Sequence, residues 1–121
     1  MYKKKIKVKL VLRQLGVKQH YKGYTYLVDA VTMAVDDPLA TTGVTKHMYP
    51  TIAKRYNTKG ANVERGIRHA IEQSWLIGDY NLTNELFGYT VGADEYKPTN
   101  IHYIAAVADY VRDLIESEAP A

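Results

Sequence analysis

The sequence predicts an all-α fold: a six-helix bundle that contains a helix-turn-helix and follows a basic N-terminal arm. Two observations carry this prediction. Apolar residues recur at spacings of three and four over most of the chain, which is the period of an amphipathic helix. Most of these runs end at a glycine, a proline or a short polar turn, and such residues terminate helices.

The N-terminal arm, residues 1–9, is rich in lysine, and lysine alternates with apolar residues from Lys5 to Leu10. That alternation has the period of a strand. Three alternatives stay open for the arm: it follows a phosphate backbone, it pairs as a strand with the arm of a second chain, or it is disordered without a ligand. We expect residues 10–121 to form the folded domain.

Six helical segments follow in order. We expect them over residues 10–15, 21–35, 45–56, 61–77, 82–87 and 99–116. Pro50 lies inside the third segment, where its missing N–H predicts a kink or a restart of the helix. The short turn Asn57–Gly60 joins the third and fourth segments, which is the connectivity of a helix-turn-helix. Residues 90–96 are expected to form a loop.

Composition and motifs exclude several classes of function. The 121 residues are the length of one domain and include no cysteine, which excludes disulfides, thiolate zinc sites and cysteine nucleophiles. The longest apolar runs, of about five residues, are far too short to span a membrane. No two of the four histidines have the spacing of a helical ligand pair, and no phosphate loop or catalytic carboxylate pair occurs. We therefore expect no metal, no cofactor, no enzymatic activity and no membrane partner.

Charge is divided unevenly along the chain. Residues 1–69 hold fourteen Lys or Arg against four acids, a balance of +10, whereas residues 70–121 hold two against nine, a balance of −7. Such a dipolar molecule turns its basic side towards a polyanion and its acidic side away. The alternative is ordinary solvated surface charge.

The outward face of the fourth segment carries side chains that suit DNA bases. Asn62, Arg65 and Arg68 follow one another at spacing three and share a stripe, which Glu64 and His69 flank. Arginine pairs with guanine, asparagine pairs with adenine and glutamate accepts from cytosine, all in the major groove that admits a helix. A glutamate alone in a basic patch favours a base contact, because phosphates would repel it. We predict base contacts by Asn62, Glu64, Arg65 and Arg68; the alternative is a solvated face whose Glu/Arg pairs serve solubility.

Phosphate contacts are expected beside that stripe. Thr58 and Lys59 precede the fourth segment, where side chains and backbone amides can hold phosphate. Lys54, near the end of the third segment, is expected to contact phosphate as well.

Several stretches of the chain are similar to a known family. The longest are Ile52-Ala53-Lys54-Arg55-Tyr56-Asn57-Thr58 and Val63-Glu64-Arg65-Gly66-Ile67-Arg68-His69-Ala70-Ile71-Glu72. Shorter ones are Lys22-Gly23-Tyr24, Tyr49-Pro50, Leu86-Phe87-Gly88-Tyr89-Thr90-Val91 and Lys97-Pro98-Thr99-Asn100. From about residue 10 to residue 114, the chain resembles the C-terminal DNA-binding effector domain of the stage-zero sporulation response regulator family.

The resemblance implies a transcriptional regulator that binds a TGTCGAA-like box on double-stranded DNA, with the fourth segment as recognition helix. It implies that Glu64 and Arg65 read bases near the central CG step, and that Arg68 and His69 support base or phosphate contacts. It also implies a homodimer on tandem or paired boxes, contact with RNA polymerase, and a cytoplasmic, nucleoid-associated location.

The chain departs from the family pattern in three places. The family carries a phosphoacceptor receiver domain before this one, which we expect this chain to lack. Ala61 and Asn62 stand where the family has serine and arginine, so we expect Asn62 to alter affinity and base preference. The acidic residues 92–96 weaken a phosphate role for their loop. The alternative function is a receiver-less interaction module or decoy that pairs with, or competes against, a full-length regulator.

Overall fold

The all-α prediction is confirmed by the structure, a computed structural model that describes residues 2–75, 77–88 and 97–118. Over these residues the chain forms six α-helices and no strand. The helices are α1 (Tyr2–Gln14), α2 (Tyr24–Asp36), α3 (Tyr49–Arg55), α4 (Gly60–Ser74), α5 (Tyr80–Phe87) and α6 (Asn100–Glu118). A 3-10 turn (Pro38–Gly43) and a π-helical turn (Val44–Met48) connect α2 to α3. The loop expected at residues 90–96 lies outside the described residues.

Helix α2 forms the centre of the bundle. It packs against α1, α4 and α6, and its side chains Leu27 and Val31 have no exposed surface. Ile104 and Val107 of α6 are buried to the same extent. Each such side chain contributes about 1.5–3 kcal/mol by leaving water. Helices α1, α2 and α6 therefore form a scaffold on which α3 and α4 are held.

Among the alternatives for the N-terminal arm, the strand that the alternation from Lys5 to Leu10 indicated is wrong, because these residues belong to helix α1. Val8, Val11 and Leu12 lie at helical spacing and are buried, and α1 packs against α2 and α6. Burial of this stripe outweighs the local alternation, as tertiary packing commonly does with local preference. Residues 2–9 are therefore helical rather than disordered, and the boundary expected between residues 9 and 10 falls inside α1.

Two lysines at the start of α1 are held by acidic residues at distant helix ends. The Lys4 ammonium lies 2.7 Å from the Asp36 carboxylate at the end of α2. Lys7 pairs with Glu118 at the end of α6. Part of the positive charge of the N-terminal segment is thus neutralised within the fold.

The expected restart of the helix at Pro50 is confirmed. The amide of Tyr49 donates to the carbonyl of Val44, five residues back, which is the π-helical pattern. Helix α3 then begins at Tyr49 with Pro50 in its first turn. The missing N–H is tolerated there because first-turn amides have no partner within their own helix.

The α1–α2 loop, residues 15–23, is in backbone contact with the region of α4. A Cβ on Gly23 would lie 1.9 Å from the carbonyl oxygen of Gly66, so only glycine allows α2 to begin this close to α4. At the other end of the loop, a Cβ on Gly78 would lie 2.3 Å from the carbonyl oxygen of Leu15. Both ends of the loop are therefore fixed beside α4.

Two negative findings concern the described part of the chain. None of its helices combines the length and the apolarity that crossing a bilayer requires. Among the same residues, no three His, Asp or Glu side chains gather as ligands for a metal ion.

Candidate functional site

Helices α3 and α4 form the candidate site together with the turn that joins them. Asn57 adopts φ +52°, a left-handed conformation that asparagine tolerates, and it reverses the chain. The amide of Thr58 donates to the carbonyl of Ala53 at 2.9 Å, which ties the turn to α3. Ile52 of α3 and Val63 of α4 are fully buried where the two helices pack. This packing fixes the direction in which α4 presents its outer face.

Helix α4 has a sharply divided surface. Its buried stripe consists of Val63, Gly66, Ile67, Ala70, Ile71 and Ser74. Its exposed side chains include Asn62, Arg65, Arg68 and His69, while Glu64 is half-buried. Arg65 forms no hydrogen bond or ion pair with any described residue. The structure therefore brings the predicted base-contacting side chains together on one outward surface, with the Arg65 guanidinium available to a ligand.

The sequence analysis took Glu64 to be an unpaired glutamate on that surface, but the structure pairs it with Arg68. Its carboxylate Oε2 accepts from Nε of Arg68 at 3.1 Å, one helical turn away. Both side chains are nearly half exposed, and exposed pairs at this spacing contribute only about 0.3–0.5 kcal/mol. The pair is therefore weak enough to open when a ligand competes for either group.

The start of α4 is tied to the preceding turn by a side-chain bond. Nδ2 of Asn62 donates to Oγ1 of Thr58 at 3.0 Å, so Asn62 keeps its amide oxygen for other partners. Lys59 is the N-cap residue of α4 and is exposed, and no side chain caps the helix there. Lys54 is exposed in the last turn of α3. The predicted phosphate contacts Thr58, Lys59 and Lys54 thus cluster at one end of the outward surface.

A groove lies on each flank of α4, and each groove contains a lysine that the sequence argument had not placed in the site. The first groove is lined by Lys22, Tyr26, Thr58, Asn62, Arg65 and His69. The second is lined by Glu64, Arg68, Glu72, Lys97, Thr99 and Asn100. The Lys97 ammonium lies 4.0 Å from the Glu72 carboxylate. The signal for both lysines was their place in short stretches that resemble the family.

Asn100 fixes the second flank. Its Nδ2 donates to the Tyr49 hydroxyl and to the main-chain carbonyl of Glu64, each at 3.1 Å. Burial raises the pKa of Tyr49, the hydrogen bond from Asn100 lowers it in part, and the Glu64 carboxylate adds to the rise. One amide group thus joins the start of α6 to both α3 and α4.

Asp29 of α2 contacts residues at the end of α3. Its carboxylate is buried and accepts a hydrogen bond of 2.7 Å from the Tyr56 hydroxyl. The Arg55 guanidinium lies 3.5 Å away and the Lys5 ammonium 3.6 Å away. Burial and the bond to Asp29 raise the pKa of Tyr56 to about 12. A carboxylate is tolerated inside a fold only when paired in this way.

An all-α domain that presents an exposed, arginine-bearing helix face from a helix–turn–helix unit has the form of a DNA-binding effector domain. Comparison with known families gives the particular family. Residues 8–111 match the model described as sporulation initiation factor Spo0A, C-terminal. The chain belongs to this family. The family comprises DNA-binding domains of transcription regulation and sporulation, of the response-regulator effector type, rather than a class of enzymes.

Proposed function

We propose that this protein regulates transcription by inserting α4 into the major groove of double-stranded DNA at a TGTCGAA-like box. The observation that carries the proposal is the position of Arg65. Its guanidinium stands on the outward surface of α4, exposed and without a partner among the described residues. A fork of N–H donors that the fold leaves unused suits O6 and N7 of guanine.

The neighbouring side chains take complementary roles in this proposal. Asn62 offers its amide to adenine, and Glu64 accepts from the amino group of cytosine while Arg68 turns towards a base or phosphate. The Glu64–Arg68 pair opens at little cost in free energy because both side chains are already partly exposed to solvent. Lys54, Thr58, Lys59 and His69 contact the phosphates that border the groove, which position the helix without reading sequence.

Replacing Arg65 tests the proposal. Arg65→Ala should weaken binding to the box by about 1–3 kcal/mol, because a bidentate pair with guanine is lost. It should also remove discrimination at one base pair. Fluorescence anisotropy at fixed salt, with the box and with single-base variants of it, measures both effects.

A matched control removes the same charge elsewhere. Arg13 is exposed in the last turn of α1, so Arg13→Ala should leave base discrimination unchanged. If Arg65→Ala binds every duplex as the parent does, the assignment of α4 as the reading helix is wrong.

A second candidate function is an interaction module or decoy that pairs with, or competes against, a longer regulator of the same family. The observation that favours it is the acidic surface of α6, where Asp109, Asp113 and Glu116 are exposed. DNA would repel these carboxylates, of which Asp109 also lies 3.4 Å from the Arg112 guanidinium, whereas a basic protein surface would attract them. A mixture with an intact regulator, without DNA, should elute as a complex in size-exclusion chromatography; separate elution at micromolar concentration contradicts this candidate.

The proposal extends to the assembly on DNA. We propose that two copies occupy tandem or paired boxes, that the bound protein contacts RNA polymerase, and that it acts on the chromosome in the cytoplasm. Support comes from the family membership of residues 8–111. Duplexes with one box and with two boxes, compared in a band-shift titration, report whether the second copy binds more tightly than the first.

A further inference from the structure

The α1–α2 loop carries a row of basic side chains beside α4. Lys18, His20 and Lys22 alternate along the loop, and all three are exposed. None of the three has an ion pair with a described residue. We call these residues the loop ridge.

The loop ridge is held against the flank of α4 by backbone contact. Gly23, which follows Lys22, meets the backbone of Gly66, where a Cβ would lie 1.9 Å from the carbonyl oxygen. Lys22 therefore shares a groove with Asn62 and Arg65 of the proposed base-reading surface. The ridge has a fixed position relative to α4, as a recognition element requires.

The charged groups facing the ridge leave it positive. His20 and Lys22 also line a third groove, together with His69, Gln73 and Glu72 of α4. Glu72 is the acid among them, and its carboxylate lies 4.0 Å from Lys97 on the opposite flank. Helix α2 has no acid in its first turn and no side-chain cap, so its amides add partial positive charge beside Lys22.

The dimensions of DNA suggest what this positive flank meets. A helix with its side chains is about 10–12 Å across, and the major groove is about 12 Å wide. A helix in the groove therefore fills it, and elements packed directly against the helix meet the backbones at the groove edges. Lys22 stands on such an element.

We propose that the loop ridge, through Lys22, binds the sugar–phosphate backbone at the edge of the groove that α4 occupies. This inference rests on the proposed function and adds a contact outside the helix–turn–helix unit. The contact supplies affinity and fixes the register of α4, whereas base reading remains with α4. His20 and Lys18 continue the row of basic side chains along the loop ridge, away from Lys22.

Substitution of Lys22 tests the inference, with salt dependence as the readout. Lys22→Ala should reduce the slope of log K against log salt by about 0.9, the value for one phosphate contact on B-DNA. The ratio of the parent's binding constant to that of Lys22→Ala should then be about three- to fourfold smaller at 200 mM than at 50 mM salt. Lys22→Ala should weaken binding to the box and to a scrambled duplex by the same factor. Lys22→Arg, which keeps the charge, should restore the slope.

Lys3→Ala serves as the matched control. Lys3 is exposed and adjoins Lys4, whose ammonium pairs with Asp36 at the far end of α2 from Lys22. Lys3→Ala should leave the slope of log K against log salt unchanged. Because Lys22 is exposed, the variants should keep the helical circular dichroism and the melting temperature of the parent.

Neutral methylphosphonates, placed one at a time along each strand, locate the contact. One substitution should weaken the parent and leave Lys22→Ala unaffected, since the variant no longer has that partner. If Lys22→Ala keeps the parent slope, or no such phosphate is found, the inference fails. If parent and Arg65→Ala both bind the box and scrambled DNA equally, the proposed function fails instead, and the two failures are distinguishable.

Discussion

At the scale of single residues, the buried carboxylate of Asp29 joins three helices. It accepts from Tyr56 just after α3 and lies near Arg55 of α3 and Lys5 of α1. The Tyr56 ring also meets the Tyr26 ring edge to face, at 5.4 Å between centroids. These contacts hold the end of α3, and through it the turn that leads into α4.

The Tyr56 hydroxyl gives this junction a measurable pH dependence. Tyr56→Phe should cost about 1 kcal/mol at neutral pH, because the bond to Asp29 is lost. Since the folded pKa of Tyr56, about 12, lies above the unfolded value of 10.0, the folded state holds the proton more tightly. The stabilisation is fully present below pH 10 and is lost as pH rises through about 12.

Urea unfolding of the parent and of Tyr56→Phe at a series of pH values measures this difference and cancels the titration of other groups. The advantage of the parent should shrink between pH 10 and pH 12. An advantage that stays constant across that range contradicts a protonated Tyr56–Asp29 bond in the folded state.

At the scale of elements, the position of α4 depends on close backbone contact with the start of α2. Gly23 and Gly66 meet where any side chain on Gly23 would overlap a carbonyl oxygen. Asn100 fixes the opposite flank by its bonds to Tyr49 and to the Glu64 carbonyl. Helix α4 is thus held from both sides, and neither contact uses its outward surface.

Two glycine substitutions separate close packing from helix preference. Gly23→Ala should destabilise the fold by about 1–3 kcal/mol, because a Cβ 1.9 Å from a carbonyl oxygen forces α2 away from α4. Gly60→Ala is the control. Its Cβ would meet the Tyr49 Cβ at an ordinary 3.7 Å, and alanine is the better helix former, so its effect should be neutral or slightly stabilising. Thermal unfolding of the two variants should rank them in this order, and equal melting temperatures would contradict the close approach.

At the scale of the whole molecule, part of the positive charge of α1 is paired with acidic residues at the end of the bundle away from Lys22. Lys4 and Lys7 of α1 pair with Asp36 and Glu118 at the ends of α2 and α6. Helix α2 has 13 residues, so about 20 Å separate its two ends. Lysines and arginines without an ion pair among the described residues include Lys22, Lys59 and Arg65 beside or on α4, as well as Lys3 and Arg13 on α1.

This division predicts which lysines contribute to DNA binding. The double variant Lys4→Ala/Lys7→Ala should leave the salt slope of binding unchanged, because those ammonium groups already have acidic partners. Lys59→Ala should lower the slope by about 0.9. Anisotropy titrations between 50 and 200 mM salt measure both. A double variant that lowers the slope as much as Lys59→Ala would return the N-terminal segment to the DNA interface.

The local sequence pattern predicted those helices whose formation depends mainly on the residues within them. Apolar spacing predicted α2, α4 and α6, and the ring of Pro50 predicted the restart of α3. The alternation in α1 was ambiguous, because Val8 is buried only when α2 and α6 are already in place. The partners of Asp29 come from elsewhere in the chain, so its role depends on the assembled fold. Glu64 was placed correctly on the outward surface, but its bond to Arg68 depends on rotamers that spacing does not determine.

Whether the outward surface of α4 reads DNA is tested by selecting bound duplexes from a random DNA pool, once with the parent and once with Arg65→Ala. If α4 reads DNA through Arg65, the parent should enrich a TGTCGAA-like box, and the variant should enrich sequences without preference at one position of that box. Equal enrichment by the two proteins, or no enrichment by the parent, would show that the outward surface of α4 does not read DNA.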